Sequence, residues 1–303
     1  MAIDGAAVVT RPRVVLLTAV ALVAFAANSL LARAALDGTS IDPLTFTAVR
    51  LAAGALVLAV LVRARIERPG ARGSWVSAGA LFAYALLFSL AYRGLTAATG
   101  ALLLFGAVQV TMLTVALARG DRLAAHQWAG LAAALGGIAW LLWPGMAAPP
   151  VMSAACMAGA GIAWGIYTLR ARGGGDPTAV TAANFLRATV PAAVLLGVFA
   201  SAARWDTHGV VLAVASGALA SGLGYAVWYA ALRHIGTHSA AVAQLAVPVI
   251  TALGGVGLLA EPLEARLVGS GLLVLAGVGL VVHGDGRGGG RGDGHEASRR
   301  HLR

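Results

Sequence analysis

Ten stretches of roughly twenty apolar residues, parted by short gaps rich in Pro, Gly, Asp and Arg, constrain this chain more than any other feature. They cover 14–36, 43–62, 74–92, 96–118, 124–143, 151–169, 178–200, 208–232, 238–259 and 266–282. A helix rises about 1.5 Å per residue, so each stretch reaches across a hydrocarbon core about 30 Å thick. Lipid offers backbone amides no water, so each stretch must satisfy its own hydrogen bonds as a helix. A soluble surface is excluded by charge. Only 11% of the 303 residues are charged, against about a quarter in a soluble domain. The surface therefore faces a lipid bilayer, and the 40 glycines suit helices packed backbone to backbone.

The gaps carry the breakers: Asp42-Pro43, Arg68-Pro69-Gly70, Pro144-Gly145, Pro149-Pro150, Gly173 to Pro177 and Glu261-Pro262. The expected layout is a cytoplasmic N-terminus over 1–13, a first five-helix repeat over 14–143, a second over 151–282, and a disordered cytoplasmic tail over 284–303. A cleaved signal peptide ending near Ala24-Phe25-Ala26 is disfavoured, because the apolar run continues to Leu36. All 22 basic residues are arginine. With the N-terminus inside, sixteen arginines fall in inside segments and four (Arg33, Arg93, Arg204 and Arg266) fall outside. That bias places both termini in the cytoplasm, with the chain in a bacterial-type inner membrane. Trp75, Trp128, Trp140, Trp143 and Trp205 lie near span ends, as an interfacial belt requires.

The two halves resemble each other in order. Phe25 to Ser29 aligns with Trp164 to Thr168, and Asp42-Pro43 followed by Arg50 aligns with Asp176-Pro177 followed by Arg187. Phe88 and Tyr92 align with Tyr225 and Tyr229, and Gly120-Asp121-Arg122-Leu123 aligns with Ala260-Glu261-Pro262-Leu263. Five spans per half is an odd number, so the second half is inverted. The expected fold class is all-α integral membrane, ten transmembrane helices as two inverted five-helix repeats. Folds of this kind hold their substrate near the midplane, between the halves.

At these residues the chain resembles the EamA-type branch of the drug/metabolite transporter superfamily. The resemblance spans nearly all of 14–282. It is clearest from Tyr225-Ala-Val-Trp228-Tyr229-Ala-Ala-Leu232 through Pro248 and Ala260-Glu261-Pro262-Leu263 to Gly269 and Gly277. Pro43-Leu44-Thr45 with Arg50 fits the family pattern in the first half. Gln109 stands where a proline is usual, and Asp121 replaces a glutamate. The resemblance implies ten helices and export or exchange of amino acids, metabolites or drugs. It also implies a cavity lined by the first and third spans of each half and by the fourth.

Polar groups inside a span are costly and mark function or packing. The substrate-binding candidates are Asn28, Arg50, Tyr84, Phe88, Gln109, Trp164, Tyr167, Asn184, Arg187, Tyr225, Trp228, Gln244 and Pro248. Arg50 and Arg187 either attract a carboxylate or phosphate in a watery cavity or bond backbone carbonyls. Tyr84, Phe88 and Tyr92 recur every four residues, as do Ser221, Tyr225 and Tyr229. Rings and amides on such faces either bind a small solute or serve as belt and interhelical bonds. Pro248 frees carbonyls where it breaks its helix. All twelve acids fall in loops or at span ends, so no mid-membrane carboxylate is available to shuttle protons.

Other classes find little support. The +10 charge lacks a basic face with interleaved aromatics, which argues against nucleic acid. Cys156 is single and lies in an apolar run. His234 and His238 are separated by Gly236 in a loop, so neither a metal nor a cofactor is expected. No serine pairs with a histidine as a hydrolase needs, so an enzyme is not expected. The expected function is a secondary transporter or exporter of zwitterionic, neutral or anionic metabolites. A multidrug exporter, an intramembrane enzyme and a non-transporting subunit are the alternatives. The fifth and tenth spans carry few polar groups and read as lipid-facing or as the contact of a homodimer.

Overall fold

Five helix starts are set by side-chain caps, Asp42, Ser74, Thr96, Asp176 and Asp206, that precede apolar runs. The computed structural model describes residues 11–64, 73–120, 124–145, 148–170, 176–235 and 237–288, and they are helical throughout apart from short connections. The first half holds α1 (Arg11–Gly38), α2 (Pro43–Arg63), α3 (Trp75–Ala91), α4 (Ala97–Ala118) and α5 (Ala125–Leu142). The second holds α6 (Val151–Arg170), α7 (Pro177–Val198), α8 (Thr207–Ala215), a π-helical stretch Ser216–Leu223, α9 (Gly224–Leu232), α10 (Thr237–Gln244), α11 (Ala246–Leu259) and α12 (Ala265–Gly288). Eight of the resulting rods are long and apolar enough to cross a membrane. Of the others, α3 is apolar but has 17 residues, and α5 opens on His126 and Gln127. The chain is a helical, multi-pass membrane protein.

Asp42 and Asp176 cap α2 and α7, each followed by proline at the first helical position, where proline's missing N–H costs nothing. Asp42 accepts from the Leu44 and Thr45 amides at 2.9 and 3.0 Å. Burial works to raise its pKa, but the Thr45 hydroxyl and the Arg204, Thr45 and Leu44 amides outweigh burial and hold it below the usual 3.8. Pro248 lacks the N–H that would reach back to Gln244, and the ninth rod breaks at Leu245 between α10 and α11. The last helix runs to Gly288, beyond the expected end at 282. Residues 289–303, Asp121, and Arg65, Arg68, Arg72, Arg122 and Arg172 lie outside the described residues.

Packing pairs one helix from each half. α2 lies along α7, α5 along α12, α3 along α6, and α1 along α9 and α11, while α4 touches both α6 and α11. At the α5–α12 seam two backbones meet directly. A Cβ on Gly130 would sit 2.5 Å from the Gly277 carbonyl oxygen, and one on Gly277 would collide with that of Gly130. The small faces of the fifth and tenth spans are thus occupied within the chain. Trp75, Trp128, Trp140, Trp143 and Trp205 are exposed, between 48% and 67%, whereas Trp164 and Trp228 turn inward.

Candidate functional site

Along α3, Tyr84, Phe88 and Tyr92 follow one another up a single face, and all three are buried. Phe88 packs on both neighbours, with ring centroids 5.4 Å from Tyr84 and 4.7 Å from Tyr92. From α6, Trp164 lies 4.9 Å from Tyr84, 5.2 Å from Tyr167 and 5.6 Å from Tyr225 of α9, the last two stacked. Phe25 of α1 touches both Tyr225 and Trp228 at 5.7 Å, and Phe185 of α7 meets Tyr225 at 6.0 Å. The stacked pair of Trp164 and Tyr225 therefore joins rings drawn from both halves of the chain.

A polar strand threads the rings. The Ser216 hydroxyl donates to Asn28 Oδ1 at 2.7 Å, and Asn28 Nδ2 donates to the Tyr84 hydroxyl at 3.3 Å. Arg50 Nη2 donates to that same hydroxyl at 3.2 Å. Arg50 is only 2% exposed, and its guanidinium carbon stands 4.8 Å from the Phe88 ring centre and 5.3 Å from that of Tyr84. Among the described residues no carboxylate pairs with it, and its Nε and Nη1 have no acceptor. The Tyr167 hydroxyl and Ser221 Oγ are likewise buried without a partner. The helix carrying Arg50 packs backbone to backbone at this point, because a Cβ on Gly217 of the π-helical stretch would collide with the Arg50 carbonyl oxygen.

Not every sequence candidate joins this cluster. Asn184 is buried but accepts from the Ser74 amide at 2.9 Å, at the start of α3. Arg187 is half-buried, donates from Nη1 to the Ala183 carbonyl at 3.0 Å, and lies over the exposed Trp75 ring at 5.9 Å. Gln109 and Gln244 are half-buried and form none of the ring or polar contacts of the cluster among the described residues. Pro248 is buried and marks the helix break. Tyr92 is buried rather than set in the belt, and Tyr229 hydrogen-bonds Thr181 through its hydroxyl at 2.9 Å.

Glu261, expected as a gate or helix-end partner, serves a helix end. Ala260 adopts a left-handed backbone, φ 53°, and swings Glu261 onto the N-terminus of α4. Its carboxylate accepts from the Ala97 amide at 2.8 Å and from Arg33 Nε at 3.0 Å. Arg33 also donates to the Tyr92 carbonyl at 3.2 Å and pairs with Asp37 at 3.0 Å. The only advance signal was the pairing of an outside arginine with an outside acid. On the same side of the molecule, a cleft of about 310 Å³ opens between the 39–42 and 202–204 loops, beside Arg93.

A bundle of apolar helices around an interior of rings and unpaired donors is the build of a membrane transporter. The comparisons agree. Residues 151–283 match the EamA-like transporter family. An uncharacterised protein of Pseudomonas aeruginosa is 55% identical over 272 residues, 89% of this chain and 94% of that one. A protein of known crystal structure shares the fold with a TM-score of 0.63 at 21% identity, covering 89% of this chain and 96% of its own. The chain belongs to the EamA-like transporter family.

Proposed function

We propose that the chain crosses the plasma membrane ten times, as inverted halves 14–143 and 151–282, and exports small metabolites as a secondary transporter. The solutes are amino acids or related zwitterionic, neutral or anionic compounds, and both termini are cytoplasmic. The helix pairs support a two-fold repeat, and five spans per half make it inverted. Exchanging first with sixth, second with seventh, and so on, turns α3–α6 into α1–α9 and α4–α6 into α1–α11. It leaves α2–α7 and α5–α12 unchanged.

The observation that carries the reading is the stacked Trp164–Tyr225 pair, from α6 and α9. Rings from α1, α3 and α7 meet this pair, where a solute would be passed between halves. The described acids stand at helix ends, as Asp37, Asp42, Asp176, Asp206 and Glu261 do. Movement is therefore facilitated or by exchange, without a mid-membrane carboxylate to carry a proton. The test is flux from proteoliposomes, with and without a pH gradient, for a panel of amino acids and a quaternary ammonium dye. Amino-acid flux that a pH gradient leaves unchanged is the expected result. Gradient-driven uptake of the dye would replace this reading with a multidrug exporter.

A further inference from the structure

We propose that Arg50 is the seat of a carboxylate monoanion, which is the anionic end of the transported solute; this rests on the transporter reading above. A buried charge is normally paired, or the helix bonds it to a nearby carbonyl. Arg187 follows that rule through Ala183, four residues before it. Arg50 does not: at 2% exposure its Nε and Nη1 have no acceptor. What does hold it fixes its position without neutralising it. The Tyr84 hydroxyl takes one bond at 3.2 Å, the Phe88 and Tyr84 rings lie against the guanidinium, and Gly217 presses on its backbone. A guanidinium offers donors only, so what completes it is an acceptor bearing charge. One positive charge against one carboxylate leaves a neutral interior, whereas a phosphate dianion leaves an excess negative charge that an apolar interior penalises. The planar carboxylate also matches the planar fork. The rings lie against one another around this point, so the carboxylate reaches Arg50 as Tyr84 and Trp164 part.

The test is direct binding to the purified full chain in neutral detergent, read as a shift of the thermal melt. The probes are free amino acids, their methyl esters and amides, and inorganic phosphate. Free carboxylates raise the melting temperature, while esters, amides and phosphate do not. In Arg50→Met the apparent affinity for carboxylates falls roughly tenfold to a hundredfold, and Arg50→Lys restores part of it. The unliganded Arg50→Met protein melts higher than the wild type, because an unpaired buried charge is replaced by an apolar chain of similar reach. A merely structural arginine gives the reverse, a lower melt with binding kept, and that result overturns the proposal. So does the absence of binding by any carboxylate, equal binding of esters and acids, or displacement of carboxylates by phosphate. Binding in detergent needs no compartments. Carboxylates that bind but never cross a bilayer refute transport and leave the seat standing, and neutral solutes that cross without any carboxylate binding do the opposite.

Discussion

Arg50 and Arg187 occupy matching stretches of α2 and α7, seven residues past Pro43 and ten past Pro177, yet they have met opposite fates. Arg187 turns outward, bonds the Ala183 carbonyl and lies over Trp75. Arg50 turns inward and keeps two nitrogens without a partner. A repeated residue is thus an anchor in one half and a free charge in the other. What separates them is their neighbours: for Arg50 the Tyr84–Phe88 face of α3, for Arg187 the start of α3 at Trp75.

The largest test of this contrast is flux. Arg50→Gln lowers proteoliposome flux roughly tenfold or more, while Arg187→Gln keeps it near the wild type. Equal losses would erase the contrast. Arg33 supplies a third case, a fully engaged arginine. Glu261→Ala removes one of its two carboxylate partners, leaving Asp37, and takes the cap from Ala97, so stability falls by about 2 kcal/mol, read as an earlier melt. A stability loss from Glu261→Ala no larger than from an exposed acid would show that engagement has no energetic meaning here.

The cap ahead of the Arg50 helix gives a smaller effect. Asp42 has a folded pKa below its usual 3.8, so its contribution is complete above about pH 4 and is lost as pH falls through the depressed folded value. Asp42→Ala costs about 1 kcal/mol at neutral pH and flattens the acid limb of the melt. An unchanged acid limb would mean that the cap is not the group being titrated. The smallest effect is a gain. Ala260→Gly relieves the left-handed backbone beside Glu261 and adds about 1 kcal/mol at most, visible as a later melt.

The spans were legible because lipid leaves a helix no choice but an apolar run, and because Asp42-Pro43 and Asp176-Pro177 are chemically unambiguous starts. The break ahead of Pro248 was legible for the same kind of reason, a missing N–H. The facing of the polar groups was not. In a helix apolar on every side, nothing local tells whether Arg50 or Arg187 points inward, or that Gln109 stays apart from the rings while Asn28 joins them. That information lies in contacts between distant segments, such as Ser216 with Asn28. The π-helical stretch had no proline to announce it, and the Glu261 clasp needed α1, α4 and the end of α11 together before it existed.

The glycine seam between α5 and α12 has a mechanical consequence. Two backbones that touch at Gly130 and Gly277 have no side chains between them to compress or slide over. They hold the fifth rod against the last as one unit, and any side chain placed at either position would pry the two apart.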